Sequence, residues 1–251
     1  MENSLKNEII IGRNAVKEAL ETNRIIDYIL LAKGDKFGSI KPLIFKCREK
    51  GIVIKEVSPA KLDAIAGNDS HQGIAAVTAV KEYCTVDDIF LKASKKNQSP
   101  FIIMADELND PHNLGAIIRT AEAAGVHGII IPERRSVGLT STVYKSSAGA
   151  LSHMLVAKVK NLSSTIDNLK KRGVWIYAAD MDGTQPWYKA DFKGSICLVV
   201  GSEGEGIGQL IKSKCDIIVS LPMCGKVNSL NVSVASGIII YEILKQRLNF
   251  K

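Results

Sequence analysis

Residues 101–248 alternate between short apolar runs and longer helical segments, and this pattern restricts the fold more than any other feature of the sequence. The apolar runs that we predict to be strands lie at 101–105, 128–131, 155–159, 174–179, 196–200 and 217–221. The predicted helices between them lie at 113–124, 141–150, 163–172, 207–214 and 231–248. Continuously apolar strands that alternate with helices are typical of a parallel sheet covered on both faces. The sequence therefore predicts an α/β fold that binds its ligand at the carboxyl ends of the strands.

The first 80 residues carry a second, smaller α/β pattern. Predicted helices lie at 12–23, 39–50 and 60–65, and predicted strands lie at 27–32, 52–57 and 74–80. A polar, basic run, KASKKNQSP, then ends at a proline. Because such a run favours a domain boundary, we predict a small domain at 1–80, a linker with a short helix at 81–100, and a large domain at 101–251.

The charge and the cysteine content restrict the partners. A net charge of +7 and a pI of about 9.1 favour a polyanion such as nucleic acid. The five cysteines show no CxxC spacing and do not cluster with the four histidines, which argues against a zinc site or a disulfide framework. We find no secretory signal and no apolar run of the roughly 20 residues that cross a bilayer. We therefore expect a cytoplasmic protein without metal or membrane association.

The loop after the first strand of the large domain carries the pattern NxGxxxR. Asn113 is a candidate N-cap, and Gly115 would let another backbone or a ligand approach the helix. We expect Arg119 on an apolar helix face, on roughly the same side as Asn113. A guanidinium there is costly unless it meets an anion. An ion pair with Glu122 or another acid would satisfy it equally well.

Two later loops have unusual compositions. The first is GSEGEG at 201–206, which lacks both the P-loop and the GxGxxG spacing; its acids favour a small neutral or cationic ligand beside Glu203. The second is LPMCGKVNSLNVSVASG at 221–237, where Ser229 or Asn231 is a candidate N-cap for a helix of small residues that packs closely. A glycine-rich turn and an ordinary strand–loop–helix connection would show the same local patterns.

Taken in order, the three loops closely resemble the three motifs of the SpoU (TrmH) family, which are S-adenosylmethionine-dependent RNA ribose 2′-O-methyltransferases of the SPOUT class. This resemblance covers residues 101–251. The segments GRNAVKEAL and HQGIAAV resemble the small RNA-binding domain of the 23S rRNA guanosine 2′-O-methyltransferases in this family. The resemblance implies a SPOUT parallel sheet with a trefoil knot, preceded by an α/β domain of the L30e/L7Ae type.

The resemblance also implies where S-adenosylmethionine binds. Backbone groups at Gly201, Leu221 and Leu230 would hold it, with Gly204 and Met223 close by. Apolar side chains around main-chain hydrogen-bonding groups suit the adenine ring.

The arginine of the first motif is Arg119, which the family uses at the reacting hydroxyl. A free guanidinium is too basic to lose its proton easily. We therefore expect Arg119 to bind an RNA phosphate and stabilise the developing alkoxide, and we leave the proton acceptor open. The residues that match family positions orienting the hydroxyl and the arginine are Asn113, Glu203, Ser229 and Asn231.

RNA contacts and a dimer are further implications. The candidate RNA-binding residues are Arg134, Arg135 and Lys145 in the large domain and Arg13, His71 and Gln72 in the small one. A solvated lysine and a structural hydrogen bond of His71 are the alternatives at two of these positions. Family members are homodimers that often use the last helix, but burial within one subunit would equally explain its isoleucines.

The leading hypothesis is therefore 2′-O-methylation of a ribose in 23S rRNA, on a guanosine. A tRNA ribose 2′-O-methyltransferase would use the same catalytic half. A non-catalytic RNA-binding or assembly protein of the same fold is the alternative from another class, and an α/β enzyme acting on a small nucleotide is a third.

Overall fold

A computed structural model describes most of the chain, and the described residues divide into two compact units. The described ranges are 9–22, 24–34, 40–67, 70–202, 204–227 and 229–248. The first unit spans Met1–Glu82 together with Gly138–Ser141, and the second spans Tyr83–Val137 and Thr142–Lys251. Each unit has its own sheet and its own core.

The first unit contains a four-stranded mixed sheet in the order β1-β4-β2-β3. Its strands are β1 (Ile9–Ile11), β2 (Ile26–Ala32), β3 (Val53–Val57) and β4 (Ile74–Thr78). Its helices are α1 (Arg13–Glu21), α2 (Lys41–Glu49) and α3 (Pro59–Ala66). Val16 and Leu43 belong to one core cluster and Leu62 to another, so the sheet is covered by apolar side chains on both faces. The three-residue strand β1 was absent from the sequence-based prediction.

The second unit contains seven parallel strands in the order β7-β6-β5-β10-β8-β11-β9. These strands are β5 (Phe101–Ala105), β6 (Gly128–Pro132), β7 (Val156–Val159), β8 (Trp175–Ala179), β9 (Gln185–Pro186), β10 (Ile196–Val200) and β11 (Ile217–Ser220). Every residue of β5 and β10 is buried, because these central strands are covered on both faces. The predicted parallel α/β sheet is confirmed, whereas the knot stays a prediction.

Among the described residues, six α-helices precede, connect and follow these strands. They are α4 (Val86–Lys95), α5 (Pro111–Ala123), α6 (Ser141–Ser146), α7 (Leu162–Lys171), α8 (Gln209–Lys212) and α9 (Val232–Arg247). No helix in the described part of the chain is long and apolar enough to cross a bilayer.

Three helix boundaries differ from the prediction. Asp110, not Asn113, caps α5: its Oδ1 accepts from the His112 N–H at 2.9 Å, and Pro111 takes the first helical position, which suits a residue without an N–H. The helix predicted at 141–150 ends at Ser146, and a 3₁₀ turn follows after Gly149, whose φ of 85° is left-handed. The helix predicted at 207–214 shortens to the single turn α8.

Candidate active site

The three loops with unusual sequences follow β5, β10 and β11. Because all three strands are parallel members of one sheet, their carboxyl ends lie at the same edge. This edge is where parallel α/β sheets bind ligands. The second unit therefore places the three motifs in one region.

A hydrogen bond joins the first motif to the third. The Asn231 Nδ2 donates to the Asn113 Oδ1 at 3.0 Å, across 118 positions of sequence. Asn113 is buried, with 5% of its surface exposed. Asn231 also caps α9, because its Oδ1 accepts from the N–H of Ser233 at 2.9 Å and of Val234 at 3.4 Å. Asn231 is thus confirmed as the N-cap and connects α5 to α9.

Two glycines border the contacts of α5, and one of them permits a close approach. A Cβ at Gly115 would lie 1.9 Å from the Ser146 Oγ, so α6 packs directly on this backbone. The predicted close approach at Gly115 is therefore to α6. A Cβ at Gly237 in α9 would lie 3.7 Å from the Cγ2 of Thr120. This is an ordinary van der Waals distance to a side chain, so the close backbone approach predicted for the small residues of α9 stays a prediction.

The glycine-rich loop after β10 is a compact turn. The Ser202 N–H donates to the Gly206 carbonyl at 3.0 Å, and the Gly206 N–H donates back to Ser202 at 3.1 Å. A Cβ at Gly201 would lie 2.1 Å from the Gly206 carbonyl carbon, so only glycine fits there. Gly204 has a φ of 92° and is exposed. Glu203 lies outside the described residues.

The loop after β11 presents free backbone groups beside apolar side chains. In its described parts, 221–227 and 229–230, no residue forms a hydrogen bond with another described residue. Leu221 and Met223 are half-buried, whereas Ser229 and Leu230 are exposed. Unpaired main-chain donors and acceptors next to leucine side chains suit a ligand that is recognised through the backbone. The chemistry of this loop therefore fits the cofactor that the resemblance implies.

Arg119 does not lie on the apolar face of α5. Its side chain is exposed, and it forms no hydrogen bond or ion pair with any described residue, including Glu122. It lies six positions beyond Asn113, which is about 9 Å along the helix axis. Since Asn113 is buried, the two residues point to different sides, contrary to the prediction. Arg119 lines a cleft of about 510 Å³ together with Tyr144, His153 and residues 147–150.

The three RNA-binding candidates of this unit are exposed. Arg134 lies in the loop after β6, and Lys145 lies in α6. Arg135 has a φ of 56° and forms a surface ion pair with Glu107 at 3.1 Å. Such a pair contributes little to stability and leaves the guanidinium accessible.

Of the three candidates of the first unit, Arg13 and Gln72 are joined by hydrogen bonds. The Arg13 Nε donates to the Gln72 carbonyl at 2.9 Å, and the Arg13 N–H donates to the Gln72 Oε1 at 3.0 Å. The His71 Nδ1 accepts from the Gly73 N–H at 2.9 Å, and its Nε2 lies 3.0 Å from the Asp63 Oδ1. His71 therefore makes the structural hydrogen bonds that were left open as an alternative.

Two aspartates near the glycine-rich loop were missed by sequence reasoning. Asp106 directly follows β5, and Asp180 directly follows β8. Asp106 is buried, the Asp180 side chain is 7% exposed, and the Asp180 Oδ1 lies 2.8 Å from the Lys212 Nζ. The available signal was an acid at the end of an apolar strand, but the partners of these acids are remote in sequence. Among the described residues, no group of three His, Cys, Asp or Glu side chains is placed to hold a metal ion.

Comparisons with known proteins agree with this geometry. Residues 100–241 match the SpoU rRNA Methylase family, and residues 9–84 match the family described as RNA 2′-O ribose methyltransferase substrate binding. The fold and the site thus define a SpoU-type methyltransferase with a substrate-binding unit. The chain belongs to the SpoU (TrmH) family of RNA methyltransferases.

Similar proteins cover nearly the whole chain. The putative TrmH family tRNA/rRNA methyltransferase YacO of Bacillus subtilis is 44% identical over 97% of this chain and 98% of its own length. A putative TrmH family tRNA/rRNA methyltransferase of Staphylococcus epidermidis is 43% identical over 95% and 96%. The SpoU methyltransferase AviRb from Streptomyces viridochromogenes, solved with AdoMet, shares the fold with a TM-score of 0.62 at 23% identity, covering 96% of this chain and 91% of that one.

Proposed function

We propose that the protein transfers the methyl group of S-adenosylmethionine to a ribose 2′-hydroxyl in RNA, and that the substrate is a guanosine in 23S rRNA. The hydrogen bond between Asn113 and Asn231 is the observation that carries the proposal. It joins the motif that bears Arg119 to the loop with free backbone groups, as a site with one reacting centre requires. The sequence resemblance in the first unit supports rRNA over tRNA.

The cofactor would bind between the compact turn after β10 and the loop after β11, whose described residues leave their backbone groups unpaired. We assign its contacts to Gly201, Leu221 and Leu230, with Gly204 and Met223 beside them. S-adenosylmethionine supplies an electrophilic methyl group on a sulfonium when it is bound. The chain must then align the hydroxyl and assist loss of its proton.

Arg119 is the residue that we assign to the RNA. An exposed guanidinium that pairs with none of the described residues is available to bind a phosphate through two N–H groups, and its charge would stabilise an alkoxide. We assign Asn113, Asn231, Ser229 and Glu203 to orienting the hydroxyl and the arginine. The buried Asn113 gives this group a rigid support.

RNA binding outside the reacting centre would use both units. In the second unit we assign phosphate contacts to Arg134, Arg135 and Lys145, whose charges are exposed. In the first unit, Arg13 and Gln72 lie together with His71. Because His71 is held by hydrogen bonds, we assign it to shaping that surface.

We also propose a homodimer that uses α9. The sequence suggested this surface because α9 is rich in isoleucine. Of these isoleucines, Ile239, Ile240 and Ile243 are buried within the subunit, whereas Ile238 is 36% exposed. Other exposed apolar residues continue the surface on the side of Ile238, namely Val234 at 51% and Tyr241 at 51%. Positions 234, 238 and 241 share one helix face, so they form a stripe that a second copy would cover. Ile238→Glu should give a monomer in sedimentation experiments, whereas a wild-type monomer would contradict this assignment.

A cytoplasmic location completes the proposal. It is supported by the five cysteines, which are all free thiols, as expected in a reducing compartment.

The decisive experiment measures methyl transfer from labelled S-adenosylmethionine to separate pools of 23S rRNA, 16S rRNA and tRNA. The product is digested to nucleosides to locate the label. We expect 2′-O-methylguanosine from 23S rRNA. Label in tRNA would retain the chemistry and contradict the rRNA assignment, and cofactor binding without transfer to any pool would favour the non-catalytic alternative.

A further inference from the structure

The glycine-rich loop follows β10, and each of the two strands beside β10 is followed by an aspartate. In the sheet, β10 lies between β5 and β8. The residues that follow these two neighbours are Asp106 and Asp180. We infer that Asp106 and Asp180 are positioning residues that hold the cofactor loop, 201–202 and 204–208, in its binding shape. The inference rests on the proposed function, because it concerns the loop assigned to S-adenosylmethionine.

Asp106 fixes the end of the loop on the side of β5. Its Oδ2 accepts from the Gly208 N–H at 2.9 Å, and 6% of the residue is exposed. Burial raises the pKa of Asp106, whereas the bond from Gly208 acts in the opposite direction. A buried carboxyl needs its hydrogen bonds, and this one takes a donor from the loop. The contact therefore ties the loop to the core of the sheet.

Asp180 acts on the side of β8 through Lys212. The Lys212 Nζ lies 2.8 Å from the Asp180 Oδ1, and the two side chains are 13% and 7% exposed. Hydrogen bonding to Asp180 raises the pKa of Lys212, and the Asp182 Oδ2 is a second acidic partner at 3.2 Å. Lys212 belongs to α8, which begins directly after the loop. The Asp180 Oδ2 also lies 3.6 Å from the position of a Cβ on Gly206, so the carboxylate borders the loop itself.

The loop needs such external contacts because of its composition. Gly204 and Gly206 have φ values of 92° and 68°, and glycines are the residues with the most backbone freedom to lose on ordering. The internal hydrogen bonds between Ser202 and Gly206 close the turn but do not fix its orientation relative to the sheet. Asp106 and the Asp180–Lys212 pair fix that orientation through contacts on two sides of the loop. Without these contacts the loop would have to become ordered when the cofactor binds. The entropy lost in that ordering would lower the affinity for the cofactor.

Asp216 provides a matched control at the amino-terminal ends of the strands in the same sheet. The Asp216 Oδ2 accepts from the Ile176 N–H at 2.8 Å, and its Oδ1 lies 2.7 Å from the Lys170 Nζ. Asp216 precedes β11 and bonds to the amino-terminal end of β8, away from the glycine-rich loop. It thus combines both kinds of contact without touching the proposed cofactor site.

The experiment compares Asp106→Ala, Asp106→Asn and Asp216→Ala in the full-length protein. The dissociation constants of S-adenosylmethionine and S-adenosylhomocysteine are measured by calorimetry, and KM and kcat by methyl transfer. We expect Asp106→Ala to raise both dissociation constants and the KM for S-adenosylmethionine about tenfold, with kcat at saturation little changed, because a charged hydrogen bond is lost from the loop. Asp106→Asn keeps an acceptor and should stay within about threefold of wild type.

Thermal melts identify any variant that fails to fold. If Asp106→Ala does not fold, Lys212→Met is measured in its place, since it removes the ionic contact on the other side while keeping the side-chain length. Asp216→Ala should lower the melting temperature and leave cofactor affinity unchanged. A folded Asp106→Ala that binds as tightly as wild type, or an equal loss of affinity in Asp216→Ala, would overturn the inference. A wild-type protein that binds no S-adenosylmethionine would instead refute the proposed function.

Discussion

Replacing Asn231 by alanine tests the contact that joins the first and third motifs. The change removes the cap of α9, where the Asn231 Oδ1 accepts from the Ser233 and Val234 N–H groups, at a cost of about 1 kcal/mol. It also removes the donor to the buried Asn113 Oδ1, which costs about 1 kcal/mol more. The free energy of unfolding should therefore fall by about 2 kcal/mol, which lowers the melting temperature by roughly 4 to 8 °C.

Asn161→Ala separates the two contributions. Asn161 caps α7, with its Oδ1 accepting from the Ser164 N–H at 3.0 Å, and α7 is not part of the three motif loops. This variant should lose about 1 kcal/mol from its cap alone and keep full methyl transfer. Asn231→Asp retains the cap acceptor and adds a negative charge at the start of α9, so it should be more stable than Asn231→Ala.

The assay combines thermal melts with initial rates of methyl transfer to 23S rRNA. We expect Asn231→Ala to be less stable than Asn161→Ala and to be the only one of the two with impaired transfer. Equal melting temperatures for these two variants, with transfer intact in both, would refute the reasoning. The hydrogen bond between Asn113 and Asn231 would then contribute nothing beyond the helix cap.

Three further predictions use other parts of the chain. Arg119→Ala should abolish methyl transfer while leaving calorimetric cofactor binding nearly intact; transfer at the wild-type rate would contradict its assignment. Arg134→Gln should reduce the salt dependence of RNA binding by about one unit of slope in filter binding, whereas Lys171→Gln, on the exposed end of α7, should not. Burial lowers the pKa of His127 to about 4 from its ordinary 6.5, so the unfolded chain binds more protons between these values. The free energy of unfolding should therefore fall as the pH drops through this range, and equilibrium unfolding of His127→Asn should show a weaker dependence.

The sheet was predictable because its central strands are apolar throughout. In the strands FIIMA and ICLVV the side chains on both faces are apolar, so both faces must be buried. A parallel sheet with helices on both sides buries them. The start of α5 was predicted three residues late, because Asp110 and Asn113 are both good caps. The Pro111 that follows Asp110 was the signal for the earlier start. The two-residue strand β9 is too short to carry a pattern.

The contacts of the site were less predictable than its location. Each motif lies at a strand end, so the sequence could place all three loops at one edge. The partner of Asp106, however, is a backbone N–H 102 positions away, and no local pattern indicates such a contact. The face of Arg119 was misjudged because Ile117, Ile118 and Ala121 surround it in sequence. A helix turns by about 100° per residue, which places position 119 on another side.

The exposure of Arg119 changes the argument for its role. A buried guanidinium would have needed an anion to offset its desolvation, but a solvated one incurs no such cost. Packing therefore does not explain this residue, and Arg119→Ala should change the free energy of unfolding by no more than about 0.5 kcal/mol. Asn113, on the buried side of the same helix, contributes to the interior through its bond with Asn231. Loss of turnover without loss of stability at position 119 would therefore place the function of Arg119 in its contact with RNA.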